Sequence, residues 1–222
     1  MSNNMEPTKH SFHIPRAQEY LVLIEERLPE RTVSHVLSVA RYMASLSELL
    51  ELPYESAVTA GLLHDLEKGT PKKRLIEKAE EYGITLSPSQ RENPKLLHGP
   101  VAAEECRREL GLVDEAAYEA IYWHTTGRPG LGLTGLALYF ADYAEPLRDR
   151  PEAAHAREIC EKDGFFRALY YVASQKVEYV RTRTHVDPLS EQFFEWIGID
   201  LVSRGHLSEH ERTMGISVRH DG

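Results

Sequence analysis

The chain has 222 residues, 41% hydrophobic and 27% charged, with a formal net charge of -9. That is enough apolar material for one substantial core and short for two. The acidic balance disfavours general binding to nucleic acid or anionic membrane, since both rely on a basic surface.

Residues 1–16 are polar and end near Pro15, so they read as an N-terminal tail. The opening MSNNMEPTKHSF lacks the apolar core of a signal peptide, and no apolar run approaches membrane-spanning length. A cytoplasmic protein is expected, with Cys106 and Cys160 reduced and packed as small apolar groups. Tyr20, Leu21, Leu23, Ile24 and Leu28 recur at helical spacing and predict a helix over 17–28, stopped by Pro29. A second follows over 32–50 on the stripe Val33, Val36, Leu37, Ala40, Met43, Ala44 and Leu46, with His35 beside it. Helices are expected over 55–67 and 71–82, the latter capped by Gly83. The polar TLSPSQRENP reads as a loop before a helix over 95–110. Asp114 can cap the next helix, which carries Ala117, Ile121 and Trp123 and ends at the GRPG turn. The span 133–144 is apolar enough for a central buried helix, and a further helix covers 164–181. No segment alternates with period two for long enough to argue for a sheet, so the fold class is all-α. The reading is one domain over 17–196, with a polar, glycine-punctuated tail over 197–222.

Six residues interrupt this apolar pattern in or at the ends of predicted core helices: His35, His64, Asp65, His98, His124 and Asp142. His64 and Asp65 follow Leu62-Leu63 directly, and Asp142 sits inside LYFADYAE. A single histidine in a helix is more often a hydrogen-bonded core or surface group, and a single aspartate a salt-bridge partner. Four histidines and two carboxylates together form an N/O ligand set suited to iron, manganese or zinc, able to hold two ions with one carboxylate bridging. His10, His13, His155, His185, His206, His210 and His220 lie in polar stretches and fail the same criterion.

Phosphate chemistry is suggested by what surrounds the six. Lys68 is three residues after Asp65, HTTGRPG supplies Thr125, Thr126, Gly127 and Arg128, and Glu145 and Arg148 follow Asp142. Hydroxyls, backbone N–H groups and guanidinium are the donors a phosphate needs.

The motifs LLHDLEK, NPKLLHGPVAA, HTTGRPG and ADYAEPLRD, in this order over roughly 30–180, resemble the HD-domain superfamily of phosphohydrolases. More narrowly, they are similar to its YqeK branch, the bacterial symmetrical bis(5'-nucleosyl)-tetraphosphatases. The resemblance implies an HD helical bundle around a metal site of two divalent or mixed-valent ions, usually iron. It implies hydrolysis of diadenosine tetraphosphate to two ADP by a hydroxide bridging the ions, with a small-molecule dinucleoside polyphosphate as partner and a homodimer allowed. His35, His64, Asp65, His98, His124 and Asp142 fall on the ligand positions, with Asp65 as the bridging ligand. Asp65, Lys68 and Arg128 are the expected catalytic residues. Lys68, Thr125, Thr126, Gly127, Arg128, Glu145 and Arg148 are expected to face substrate. Two departures bear on nucleotide preference: Arg150 stands where the family tends toward an aromatic residue, and HVDPLSEQF replaces a more usual His-Pro-Leu run. The alternatives are an HD phosphohydrolase acting on other nucleotides and a noncatalytic nucleotide-sensing module.

Overall fold

The computed structural model describes residues 12–182 and 187–214, and among them there is no strand. The order is α1 Ala17–Arg27, α2 Glu30–Leu49, α3 Tyr54–Leu63, α4 Lys72–Glu81, α5 Pro88–Glu92, a 3-10 turn Pro94–Leu97, then α6 His98–Arg108 and α7 Glu115–Trp123. It continues with α8 Leu133–Ala144, α9 Pro151–Asp163, α10 Phe165–Arg181, α11 Pro188–Ser203 and α12 Glu209–Met214. No described helix is long and apolar enough to cross a membrane.

The centre is built by α2, α3 and α8. On α2 the stripe Val36, Leu37, Ala40, Met43 and Leu46 is buried as its spacing predicts, while α3 is buried from Ser56 to Leu63 and α8 over most of its length. Helices buried on every side must approach closely, and here a glycine allows it. A Cβ on Gly61 would lie 2.7 Å from the Ala40 Cα, so the α2–α3 contact depends on its absence. Asp114 caps α7 as expected, its Oδ1 accepting from the Ala117 N–H at 3.1 Å.

Three sequence expectations change. The helix read over 55–67 ends at Leu63, and residues 64–69 form successive turns. The loop TLSPSQRENP contains α5, started by a capping box in which Ser87 and Gln90 satisfy each other's backbone N–H groups. Helix α9 was not anticipated, because its buried residues Ala153, Ala156 and Ile159 are too small and too few to show as a stripe.

The tail boundaries also cut across packed structure. Phe12 and Ile14, in the expected N-terminal tail, are buried against the core. Helix α11 runs straight through residue 197 to Ser203. Phe193, Ile197 and Leu201, four residues apart, all point into the core, and burying each contributes roughly 1.5–3 kcal/mol. Gly198 and Gly205 gave that stretch its tail-like look. Gly198, however, is where α11 meets α10, since a Cβ there would be 3.1 Å from the Tyr170 ring. Beyond it, α12 is tied to α10 by an Arg167–Glu211 ion pair and by Tyr170 Oη donating to the Arg212 carbonyl at 2.8 Å.

Candidate metal centre and its cavity

Five helices deliver the six nominated residues to one place. His35 comes from α2, His64 and Asp65 from the turn after α3, His98 from the start of α6, His124 from the end of α7, and Asp142 from α8. They form two ligand groups that share one residue. The atoms of His35, His64, Asp65 and Asp142 lie within 4.8 Å of one another, as do those of Asp65, His98 and His124.

The two carboxylate oxygens of Asp65 divide between these groups. Oδ2 lies 3.6 Å from His35 Nε2 and 3.5 Å from His64 Nε2. Oδ1 lies 3.3 Å from His98 Nε2 and 3.7 Å from His124 Nε2. Asp142 Oδ1 completes the first group, 3.1 Å from His35 Nε2 and 3.9 Å from His64 Nε2.

The tautomers follow from the far side of each ring. Nδ1 of His64 faces the Gly61 carbonyl at 2.8 Å, Nδ1 of His98 the Lys95 carbonyl at 2.6 Å, and Nδ1 of His124 the Ile121 carbonyl at 2.8 Å. A carbonyl only accepts, so each Nδ1 carries the proton and each Nε2 turns a lone pair to the centre, as a metal ligand does. His35 Nδ1 donates instead to the Glu145 carboxylate, at 3.1 Å, which leaves Nε2 facing the centre. Glu145 also accepts from the Leu147 N–H at 2.6 Å, which fixes the carboxylate that orients His35.

These lone pairs need a cation. His64 Nε2 is buried with no hydrogen-bond partner, and such an orphan costs about 1–3 kcal/mol. His98 Nε2 and His124 Nε2 are 2.9 Å apart with no proton between them. The residues present therefore fit metal ions.

Electrostatics agree. Asp65 is fully buried, which raises a carboxyl, yet the imidazoles around it, His64 first among them, hold it well below the usual range. Burial brings His124 down to about 4, keeping it neutral and able to ligate. Burial also lowers His35, but the Asp142 and Glu145 carboxylates outweigh it and leave the ring at about 9.

One cavity of about 660 Å³ reaches this cluster at Asp142 and is lined also by Thr125, Arg148, Arg150, Lys176 and Tyr139. The Thr125 hydroxyl lies 3.1 Å from His124 Nε2. Lys68 Nζ reaches the Asp65 carboxylate at 3.1 Å, and Arg148 donates to the Asp142 carboxylate at 3.2 Å.

The remaining nominees are turned elsewhere. Arg128 pairs with Glu119 and donates to the Pro129 carbonyl at 3.1 Å, and it does not line the cavity. Thr126 is buried. Gly127 has φ +68° and packs against the Phe193 ring, where a Cβ would come within 2.5 Å, so its glycine serves the α11 contact. Among the other histidines, His155 faces Glu158 and Tyr171, His206 stacks on Phe166, and His10, His185 and His220 lie outside the described residues.

Sequence reasoning missed Lys176. It sits on α10 four residues after Val172 and four before Val180, a cation on an apolar stripe, and that was the available signal. Burial lowers its ammonium to about 8, against the pull of Asp142.

The model of the HD domain matches residues 32–168, which contain all six ligand candidates. The chain belongs to the HD domain family. Relatives of this HD hydrolase include a symmetrical bis(5'-nucleosyl)-tetraphosphatase of Bacillus subtilis (strain 168), 30% identical over 183 residues that cover 81% of this chain and 96% of the relative. A protein of the same description from Staphylococcus aureus (strain NCTC 8325 / PS 47) is 30% identical over 69% of this chain and 79% of its own. In three dimensions the chain is similar to an HD superfamily hydrolase from Clostridium acetobutylicum described as involved in NAD metabolism, with a TM-score of 0.78, 26% identity, and coverage of 84% of this chain and 97% of that one.

Proposed function

We propose that this HD hydrolase cleaves diadenosine tetraphosphate symmetrically into two ADP at a centre of two ions held by His35, His64, Asp65, His98, His124 and Asp142. The observation that carries the reading is the division of Asp65: each of its oxygens faces a separate group of imidazoles. The names of the relatives supply the substrate class. Iron is the first expectation, with manganese and zinc suited to the same N/O set.

When bound, the ions would neutralise phosphate charge and acidify a water for in-line attack on phosphorus. The chain's own groups do the rest. Lys68 and Arg148, anchored on ligand carboxylates at 3.1 and 3.2 Å, can pass donors to phosphoryl oxygens. Thr125 offers a hydroxyl from the cavity wall. Water adds to one of the two central phosphorus atoms, the central bridging P–O bond breaks, and ADP leaves from each side.

Chromatography of the products from metal-loaded protein and diadenosine tetraphosphate tests this. ADP as sole product supports the reading; ATP with AMP, or no product from metal-bearing protein, overturns it.

Two further outcomes follow from the geometry. Arg128→Ala is expected to keep its metal and stay within a few-fold of wild-type turnover, because it removes a partly exposed ion pair worth about 0–1 kcal/mol and no cavity group. A steady-state comparison decides, and loss of turnover with metal retained would restore Arg128 to the phosphate site.

Metal uptake should also release a proton. Metal-free His35 is protonated below about 9, and a ligating imidazole must be neutral. Affinity is therefore expected to rise with pH up to that point and then level off. Calorimetry at pH 8 in buffers of different ionisation enthalpy should show proton release; equal heats in all buffers would count against His35 as a ligand.

A further inference from the structure

Two cations on the cavity wall have no role in the reading above. Lys176 Nζ lies 3.6 Å from the centroid of the Tyr139 ring and donates to the His124 carbonyl at 3.3 Å. The Arg150 guanidinium lies 4.9 Å from the centroid of the Tyr143 ring. Both line the cavity that opens onto Asp142.

They differ in kind from the cations the sequence nominated. Lys68, Arg128 and Arg148 each hold a carboxylate, on Asp65, Glu119 and Asp142 respectively. Neither Lys176 nor Arg150 makes an ion pair among the described residues. Each is instead placed by a tyrosine face, which fixes a cation without cancelling its charge. A half-buried ammonium with a carbonyl and a ring as its only fixed partners still has donor capacity, and an anion entering the cavity satisfies it.

The spacing indicates more than one anionic group. Tyr139 and Tyr143 lie one turn apart on α8, about 6 Å along its axis, with Asp142 between them in sequence. Lys176 sits against the backbone of the ligand His124, whereas Arg150 is exposed at the start of α9. Lys176 is thus the cation beside the candidate ligands, and Arg150 the one at the surface.

We infer that Lys176 and Arg150 form a phosphate-chain subsite: Lys176 takes a phosphate next to the metal centre and Arg150 one further out. The inference rests on a nucleotide substrate as proposed above, and adds a preference for chains of phosphates over a single phosphate.

The test compares ADP with AMP, so that nucleoside contacts cancel and the extra phosphate remains. Each is titrated calorimetrically into the metal-loaded full chain of wild type, Lys176→Met, Lys176→Arg and Arg150→Met, with metal content and helicity checked in parallel. The wild type should bind ADP more tightly than AMP. In Lys176→Met that advantage should fall about ten-fold, the scale of one charge-assisted hydrogen bond, and Lys176→Arg should recover most of it. Arg150→Met, at an exposed position that cannot unfold the core, should lose several-fold. An unchanged ADP-to-AMP ratio in folded, metal-bearing variants overturns the subsite, as does a wild type with no preference for ADP. If the ratio falls as expected while wild type fails to hydrolyse diadenosine tetraphosphate, the subsite stands and the proposed reaction does not.

Discussion

Asp65→Asn is expected to abolish turnover and strip metal in one step. The substitution keeps the shape of the side chain and removes its charge, so packing around a fully buried position is preserved. What is lost is the capacity of one group to face both ligand clusters with anionic oxygens: Oδ2 toward His35 and His64, Oδ1 toward His98 and His124. An amide presents one acceptor and one NH2, and the NH2 would point at imidazole lone pairs that are themselves arranged to bind a cation. Removing a partner that only orients a ligand costs about 10–100-fold in affinity or activity, and Glu145→Gln, which among the six candidate ligands touches His35 alone, should fall in that range. Asp65→Asn should exceed it, with kcat/KM down by more than about 10³-fold, because on the proposed reading it removes outright a ligand shared by two ions. Metal content by emission spectroscopy and turnover on the same preparation settle the matter. Full metal occupancy in Asp65→Asn would rule out the shared ligand, and turnover within ten-fold of wild type would place the reaction elsewhere.

The six candidate ligands stand out in the sequence because each one violates its surroundings. A histidine or aspartate among Leu62, Leu63, Phe140 and Ala141 is costly unless something compensates it, and six such violations spread over five helices share one explanation. The helices of the core were legible for the complementary reason, a period of apolar residues that needs no knowledge of partners. The cavity wall was harder. Arg128 and Lys176 are both cations near His124, and only packing distinguishes them: Glu119, a turn before His124 on α7, draws Arg128 away, while Lys176 approaches from α10, 52 residues along the chain from His124. Proximity in sequence favoured Arg128, and tertiary structure favours Lys176. The same limit explains the C-terminal boundary. Phe193, Ile197 and Leu201 form a regular stripe, but Gly198 beside them carries the opposite message until the Tyr170 ring packed against it is known.

Glu67→Ala is expected to destabilise the fold by about 3–5 kcal/mol, the cost of leaving buried charges without their partner. Glu67 is two residues past Asp65, in the turn that carries both Asp65 and Lys68, and it is fully buried. Arg27 from α1 and Lys78 from α4 both pair with it, and both also pair with Glu105 from α6. Thr70 donates to its other oxygen at 2.8 Å. Two acids and two bases thus close a ring that ties the catalytic turn to three helices, one of which begins with His98. Without Glu67, one buried carboxylate must serve two cations, and Lys78, with only 13% of its side chain exposed, cannot turn to water at no cost. The double variant Glu67→Ala with Lys78→Met should then be less destabilised than Glu67→Ala alone, since it removes the stranded ammonium and fills its path with apolar atoms. Urea unfolding of both proteins measures the difference. A loss below 1 kcal/mol in the single variant would mean that water already screens the ring, and a double variant less stable than the single one would mean that Lys78 holds the turn through Glu105 alone.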